Sequence, residues 1–206
     1  MKQLILRTCN ADMTGYGGFV WPESGRVEAP DWKPEKCCGN GLHGLLWGEG
    51  DGALLNWADN AKWLVAEVNG DVIDLGGKVK FPAANVIFCG SRLDATEFIR
   101  NAGAKGAVVG ATVTGGYGAT VTGGDGATVT GGDRATVTGG DRATVTGGYG
   151  ATVTGGDGAV LMFRFWDSTK NRHRFTVAYV GEKGIKENTA YRLNNKNKPV
   201  EAGAAS

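Results

Sequence analysis

Two side chains in the first half of the chain, His43 and Glu67, are of the types that perform general acid–base chemistry. An imidazole exchanges a proton near neutral pH, and a carboxylate can orient that imidazole or grip a ligand hydroxyl. The pair is therefore the catalytic candidate, with a nucleotide as the expected ligand. The opposing interpretation is that His43 only makes structural hydrogen bonds. No P-loop, nucleophile elbow or dinucleotide-binding fingerprint accompanies the pair, so the sequence favours a protein that is not an enzyme.

Four cysteines, Cys9, Cys37, Cys38 and Cys89, are the other residues that could bind a metal. Tetrahedral zinc sites use pairs of cysteines separated by two to four residues, whereas Cys37 and Cys38 are adjacent. The first residues lack the long apolar region of a secretory signal, which disfavours disulfides. We therefore expect free thiols, and neither a metal nor a cofactor.

A basic group near the C-terminus is the candidate binding site for an acidic partner or a nucleotide phosphate. Residues 161–206 hold nine Lys/Arg against four Asp/Glu, whereas residues 1–102 hold ten against thirteen. The densest basic cluster comprises Arg164, Lys170, Arg172, His173 and Arg174. The alternative is a solvated strand face. Because the net charge of the whole chain is only +1, a dedicated nucleic-acid binder is not expected, although this cluster leaves nucleic acid open.

These candidate residues flank an array that dominates the composition. Nineteen of the 36 glycines fall between Gly103 and Gly158, where six octapeptides of the form ATVTGG(Y/D)(G/R) follow one another from Ala111. The Ala-Thr-Val-Thr alternation predicts a short strand with Ala and Val inward and Thr outward, and Gly-Gly predicts a turn. One octapeptide cannot bury a core, but stacked units can. The sequence therefore predicts a β-solenoid of about sixteen residues per coil.

Folding the array at this period sorts its variable positions into two columns. One column contains Tyr117, Asp133 and Tyr149, and the other contains three aspartates at the same spacing, beginning at Asp125. Stacked carboxylates about 4.8 Å apart repel one another unless turn amides or a cation satisfy them. We expect turn amides, with calcium as the alternative. The outward solenoid face combines the first column with the threonines of alternate octapeptides: Thr112, Thr114, Thr128, Thr130, Thr144 and Thr146.

The segment GGYGATVTGGDGATVT resembles the sixteen-residue tandem repeat of bacterial ice-nucleation proteins, with its Thr-x-Thr strands and Gly-Tyr-Gly turns. That resemblance covers residues 111–158. It implies a β-solenoid whose Thr-x-Thr ladders order water, with Thr112, Thr114 and their equivalents at the ladder positions. Six octapeptides make about three coils, or roughly 15 Å of solenoid, and ice nucleation needs a far larger template. Ice or surface binding is therefore kept as an alternative function.

Most of the chain also resembles uncharacterised phage and prophage proteins, in which a small domain with a Cys-x-x-Gly-(Leu/Phe)-His segment precedes the octapeptides and a β cap closes them. The matching residues are Cys38–His43, Trp63–Val68, Tyr179–Lys186 and Ala190–Leu193. This resemblance implies a viral origin, with the cytoplasm of an infected bacterium as the location. A small β domain carrying His43 and Glu67 also resembles ADP-ribosyltransferase-like folds, which is the enzyme class of the alternative function.

The fold expected from these patterns is mostly β: a small α+β domain over residues 1–102, the solenoid over 103–160, and a C-terminal β-hairpin cap and tail over 161–206. In the first part, Trp63–Val68 and Val72–Leu75 are predicted to form a hairpin around Asn69–Asp71, and Asp94–Ala102 is predicted to form a helix with its N-cap at Asp94. In the cap, large side chains either cover the open end of the solenoid or join two copies as a homodimer: Phe163, Phe165, Trp166 and Phe175.

The function expected first is a non-enzymatic protein that binds or sequesters a bacterial host protein, with the solenoid as a rigid scaffold. Inhibition of bacterial defence is the purpose that the resemblance to phage proteins implies. The nucleotide-handling enzyme and the ice-binding protein are the two alternatives. No apolar run approaches the length of a membrane span, so no membrane partner is expected.

Overall fold

The computed structural model describes residues 2–203, and most of these residues lie in β-strands. Seventeen strands and one α-helix occur in this described range. Contacts divide the chain into two units, Met1–Val109 and Gly110–Ser206. The structure confirms three predictions from the sequence: a mostly β fold, a single helix, and a solenoid with sixteen residues per coil.

The first unit is built on a seven-stranded sheet in which all pairings are antiparallel. Its strands are β1 (Lys2–Cys9), β2 (Gly25–Glu28), β3 (Leu42–Leu46), β4 (Lys62–Asn69), β5 (Ile73–Asp74), β6 (Val79–Phe81) and β7 (Ala83–Gly90). The spatial order is β2-β7-β4-β1-β3-β6-β5, so β1 lies at the centre. Apolar side chains such as Ile5, Leu64 and Phe81 are fully buried, which ties the outer strands to this centre.

The helix α1 (Arg92–Asn101) packs on β4, β7 and β1. It buries Ala95, Thr96 and Ile99 on the side that meets the sheet. Its N-cap is Ser91, whose hydroxyl accepts a hydrogen bond from the backbone N–H of Asp94 at 3.3 Å. The prediction of an N-cap at Asp94 is therefore wrong by one helical turn, because Asp94 instead occupies the third helical position and pairs with the capping hydroxyl.

The hairpin predicted around Asn69–Asp71 does not form. Strand β5 pairs with β6, at the edge of the sheet remote from β4. The reason is the two-residue turn Gly76–Gly77, in which both glycines have positive φ, of 73° and 76°. This geometry matches the twist of a β-hairpin better than the Asn69–Asp71 segment does. Strand β5 therefore pairs with β6, which follows it, and not with β4.

The second unit begins with the solenoid, whose octapeptide strands stack in two parallel sheets. Its strands are β8 (Thr112–Gly115), β9 (Thr120–Thr122), β10 (Thr128–Gly131), β11 (Thr136–Gly139), β12 (Thr144–Gly147) and β13 (Thr152–Gly155). Each strand pairs in register with the strand sixteen residues away, so that Thr128 lies beside Thr112 and beside Thr144. The inward valines Val129, Val137 and Val145 are fully buried between the sheets.

The two adjacent glycines of a turn are required for different steric reasons. A Cβ on Gly131 would lie 2.8 Å from the Cβ of Ala135 and would clash with Val137, because this position faces the narrow core. A Cβ on Gly132 would lie 2.6 Å from the carbonyl carbon of Gly116 in the preceding coil. The first glycine therefore lets the two sheets approach, and the second lets successive coils approach.

Four further strands close the solenoid: β14 (Val160–Asp167), β15 (Arg172–Tyr179), β16 (Tyr191–Leu193) and β17 (Pro199–Glu201). Strand β14 continues one sheet as its fourth parallel strand and then forms the predicted hairpin with β15. Strand β16 joins the other sheet through the pair Val153–Tyr191. The cap therefore shares both sheets and one core with the solenoid, and the degenerate octapeptide before Gly110 falls in the first unit.

Alanine at Gly132 should destabilise the solenoid, whereas alanine at Gly116 should not. Both glycines occupy the same place in successive coils, but a Cβ on Gly116 has no atom within 4 Å, since no coil lies beneath it. Overpacking against backbone typically costs about 1–3 kcal/mol in the free energy of unfolding. Denaturant unfolding of the two variants measures the difference, and equal stabilities would contradict the coil-contact explanation.

Candidate functional sites

The first candidate site is the row of outward threonines on the sheet formed by β8, β10 and β12. Threonines of neighbouring coils lie directly beside one another in the parallel register. Strand geometry places the rows about 4.8 Å apart and the two threonines of each strand about 6.6 Å apart. Within the described chain, the hydroxyls of Thr128, Thr130, Thr144 and Thr146 bond to no other protein group. They form a regular lattice of hydroxyl groups.

The two side-chain columns continue beyond the threonines with apolar residues. Val160 and Met162 of β14 take the next places in the two columns, beside Thr144 and Thr146. The neighbouring turn column presents Tyr117 at 71% exposure and, two coils on, Tyr149 at 60%. The sequence-predicted solenoid face is therefore one surface, with aromatic rings along one border.

The aspartate columns are satisfied by turn amides, as the sequence predicts, but the amides belong to the next coil. Asp133 accepts a hydrogen bond from the backbone N–H of Tyr149 at 2.8 Å. Asp125 accepts from Asp141 at 3.0 Å, and Asp141 accepts from Asp157 at 2.9 Å. Each carboxylate thus links two coils. Among residues 2–203 no group of three or more His, Cys, Asp or Glu is placed to hold a metal ion.

Two arginines replace glycine at a strained position of the array. Arg134 and Arg142 have φ of 60° and 56°, in the left-handed region where the other octapeptides have glycine. The guanidinium of Arg134 lies over the ring of Tyr117, 5.8 Å from its centroid. The neighbouring Asp133 also forms an ion pair of 2.5 Å with Arg164 of β14. Charge therefore concentrates along the turn column that borders the threonine rows.

The second candidate site is the outer face of the β14–β15 hairpin. Cross-strand pairs place Trp166 beside His173 and Met162 beside Val177 on this face. Four large apolar side chains remain exposed there, at 43–50%: Trp166, Phe175, Val177 and Tyr179. Monomeric proteins seldom expose such a group of contiguous apolar side chains, so this face has the character of a contact surface.

The structure divides the cap residues that the sequence groups together. Phe163 is only 2% exposed and packs in the solenoid core, so it covers the solenoid end and is not available to an interface. Phe165 lies on that same side of the hairpin, whereas Trp166 and Phe175 lie on the outer face.

The predicted basic cluster is likewise spread over both sides and the tip of the hairpin. His173 makes an edge contact with the ring of Trp166, and Arg174 pairs with Asp167 at 3.2 Å. Lys170 lies in the turn, and Arg172 is exposed on β15 opposite Asp167. With Arg164 committed to Asp133, the five residues do not form one binding patch.

His43 and Glu67 are not brought together. Glu67 on β4 forms an ion pair with Lys2 at 2.6 Å, whereas His43 lies on β3, beyond the central strand, and pairs with Lys80 of β6. The lowered pKa of Glu67 arises mainly from its hydrogen bond with Lys2. The acid–base pair expected from the sequence therefore lacks the required contact.

His43 instead lines a cavity of about 730 Å³ in the first unit, with Arg7, Cys38 and Lys78. Burial lowers the pKa of His43 to about 4, and the positive charges of Lys78, Arg7 and Lys80 act in the same direction. Arg7, Lys78 and Lys80 were not among the residues predicted from the sequence, because isolated basic residues show no motif.

The four cysteines are free thiols in different surroundings. Cys9 is buried, Cys89 is half-buried, and the adjacent Cys37 and Cys38 are exposed. Burial raises the pKa of Cys9, whereas a hydrogen bond with Lys78 lowers the pKa of Cys38.

Comparison with known proteins gives two kinds of similarity. Residues 3–101 match a family described as a domain of unknown function, DUF7666. Similar curated proteins are the ice nucleation protein InaU of Pantoea ananas and ice nucleation proteins of Enterobacter agglomerans and Pseudomonas syringae, each 46% identical over 101 residues, or 48% of this chain. The matched stretch spans only 10%, 8% and 9% of those relatives. No solved structure gives a significant match.

These comparisons support one of the functions expected from the sequence and not the others. The similarity to ice nucleation proteins supports the ice- or surface-binding alternative. It does not support a phage origin or inhibition of bacterial defence, and a cytoplasmic location stays a prediction. Among residues 2–203, no helix has both the length and the apolar character needed to cross a membrane.

Replacing Asp133 with asparagine should lower thermal stability at neutral pH and flatten its acid dependence. The Tyr149 amide and then Arg164 lower the pKa of the Asp133 carboxyl in the folded protein. A lowered pKa contributes stability above the unfolded value of about 3.9, and this contribution is lost as the pH falls through the folded value. The difference in Tm between wild type and Asp133→Asn should therefore shrink below about pH 4.

Asp157→Asn is the matched control, because the side chain of Asp157 ends its column and accepts no hydrogen bond from any other residue of the described chain. Because Asp157→Asn breaks no link between coils, its Tm at neutral pH should stay close to that of wild type. A parallel shift for both variants would rule out the coil-linking role of Asp133.

Proposed function

We propose that the solenoid binds ice, or another surface of ordered water, through the threonine rows of β8, β10 and β12. The observation that carries this proposal is the in-register stacking of outward threonines in three successive coils. The similarity to ice nucleation proteins supports it independently of the geometry.

Rigidity is what makes such a lattice effective. Successive coils are joined by backbone bonds such as that from the Thr128 N–H to the Ala111 carbonyl at 2.9 Å, and by the aspartate links of the turns. The buried valines leave the strands no freedom to shift. Waters held by the hydroxyls therefore occupy fixed positions before ice forms, so little further ordering is required on contact.

The size of the lattice limits what it can do. Three threonine rows at strand spacing cover about 10 Å in one direction, and the two columns cover about 7 Å in the other. This area holds only a few waters, which is too small a template to nucleate ice. Adsorption to an existing ice surface requires no critical nucleus, so the expected activity is the shaping of growing ice crystals.

The sheet of β8, β10 and β12 is a better candidate than the opposite sheet. Its columns continue through Val160 and Met162 of β14 in parallel register, which extends the flat surface by a further row. In the opposite sheet the threonine rows end at β13, where a single residue pair joins the antiparallel β16.

Lysine at both Thr128 and Thr144 should abolish ice shaping by the full chain. The two long charged side chains would interrupt the middle of the lattice, while exposed strand positions tolerate such changes within about 0.5 kcal/mol of the free energy of unfolding. Crystal habit and thermal hysteresis measure the activity, and thermal unfolding verifies the fold.

The matched control carries lysine at Thr136 and Thr152 on the opposite sheet, and it should retain the activity. If the control loses activity and the Thr128/Thr144 variant keeps it, the ice-binding surface lies on the opposite sheet and the proposal is wrong about the sheet. Absence of ice shaping by the wild-type chain would overturn the proposal.

The exposed hairpin face favours a second candidate function, self-association. Strand β15 is the last strand of its sheet, and its own outward side chains include no Lys, Arg, Asp or Glu, although Arg164 of β14 lies beside Phe175 on this face. Antiparallel pairing with β15 of a second copy, about a two-fold axis at Thr176, would place Phe175 beside Val177 of the other copy. The larger sheet would bring these apolar side chains of the two copies into cross-strand contact and remove an open strand edge.

Glutamate at both Phe175 and Val177 should convert a dimer into monomers of 21.4 kDa. Light scattering after gel filtration gives the mass directly. The control Tyr117→Glu introduces the same charge at an exposed aromatic residue elsewhere and should leave the dimer intact. A monomeric wild-type protein at about 100 μM would overturn this candidate, since useful self-association requires micromolar affinity.

A further inference from the structure

The first unit contains a group of cations without carboxylate partners. Lys80 is completely buried, and its ammonium donates to the carbonyls of Cys37 at 3.0 Å and Gly39 at 3.3 Å. Arg7 donates from Nη1 to the His43 carbonyl at 2.8 Å, and Lys78 lies 3.0 Å from the Cys38 sulfur. Within residues 2–203, none of these three cations forms an ion pair.

Such an arrangement is electrostatically unfavourable in the absence of a negative charge. Removing a cation from water costs several kcal/mol unless a counter-charge or several hydrogen bonds replace the water. The Nε of Arg7 and the Nε2 of His43 are both buried without a hydrogen-bond partner in the described chain. Burial lowers the pKa of Arg7, and burial together with the neighbouring cations lowers that of His43. The rings of Trp21 and Trp32 lie near Arg7 and Lys80, at 4.3 Å and 5.6 Å from the ring centroids, but no carboxylate of the described chain offsets the charges.

The cavity beside this group has the size and lining of a ligand site. Its volume of about 730 Å³ lies within the range of small-molecule sites, roughly 300–1,000 Å³. Arg7, Lys78 and His43 line it, and no Asp or Glu does. Leu54 and Leu55 add an apolar wall that a free inorganic ion would not use.

We infer that this cavity binds a phosphorylated small molecule of nucleotide size, with its phosphate at Arg7 and Lys78 and its apolar body against Leu54 and Leu55. A phosphate dianion matches the two cations of the lining in charge. An arginine fork and a lysine point charge are also the usual pair for phosphate oxygens. The site is independent of the threonine rows, since every residue it uses lies in the first unit.

Cys38 provides a built-in reporter for occupancy. It lines the cavity, and its pKa is lowered mainly by the hydrogen bond with Lys78. A phosphate bound at Lys78 would share that bond and cover the sulfur, so the thiol should react more slowly with iodoacetamide. The adjacent Cys37 is exposed and is not part of the lining, so it serves as the internal control.

The direct test is an NMR titration of the full chain with the 5′-monophosphates AMP, GMP, CMP and UMP. The chain has two histidines, so the imidazole signal of His43 can be followed beside that of His173, an exposed residue of the second unit. At least one nucleotide should shift the His43 signal and raise its pKa, leaving His173 unchanged. Alkylation of Cys38, read by peptide mass, should slow at least fivefold while that of Cys37 stays constant.

Lys78→Met should weaken this binding at least tenfold, because it removes one charge-assisted bond. Lys33→Met is the control, since Lys33 is exposed and lies outside the lining. Adenosine should not bind, and inorganic phosphate should bind at least tenfold more weakly than the nucleotide. No response of His43 to any of the four nucleotides would overturn the inference, and equal affinity for inorganic phosphate would overturn the role of the leucine wall.

Discussion

The close approach of successive coils is the constraint on which the second unit depends. Parallel strands from neighbouring coils pair in register, and from Gly132 onward the second glycine of the turns, as at Gly140 and Gly148, lies against the backbone of the coil before it. Any side chain at that position would separate the coils and break the hydrogen bonds between them. The regular threonine rows, the aspartate links and the buried valine column all follow from this one contact.

Periodic features of the sequence predict structure well because each repeat makes the same contacts. The octapeptide alternation correctly predicts the inward Val129 and the outward Thr128, and the sixteen-residue fold correctly predicts the column of Asp133. The link from Asp133 to the Tyr149 amide was only partly foreseen, since it depends on how far adjacent coils are offset. That offset is a property of the stacked coils and is absent from any single octapeptide.

The first unit shows where reasoning from local patterns ends. The hairpin turn forms at Gly76–Gly77 and not at Asn69–Asp71, because two adjacent residues with positive φ fit the twist of paired strands better. His43 and Glu67 were paired by chemical type, yet a central strand separates them. Arg7 and Lys78 come from distant segments, so only the antiparallel order of the sheet brings them to the cavity that His43 lines.

The two-sheet arrangement of the coils also limits how this gene can change. A tandem duplication of sixteen codons would insert a complete coil and keep β14 paired in parallel register on the same sheet. A duplication of eight codons would instead carry β14 to the opposite sheet and exchange the tyrosine and aspartate columns downstream. Arg164 would then lose Asp133 as its partner. A change of repeat number by whole coils should therefore preserve the fold, whereas a change by half a coil should disrupt the junction with β14.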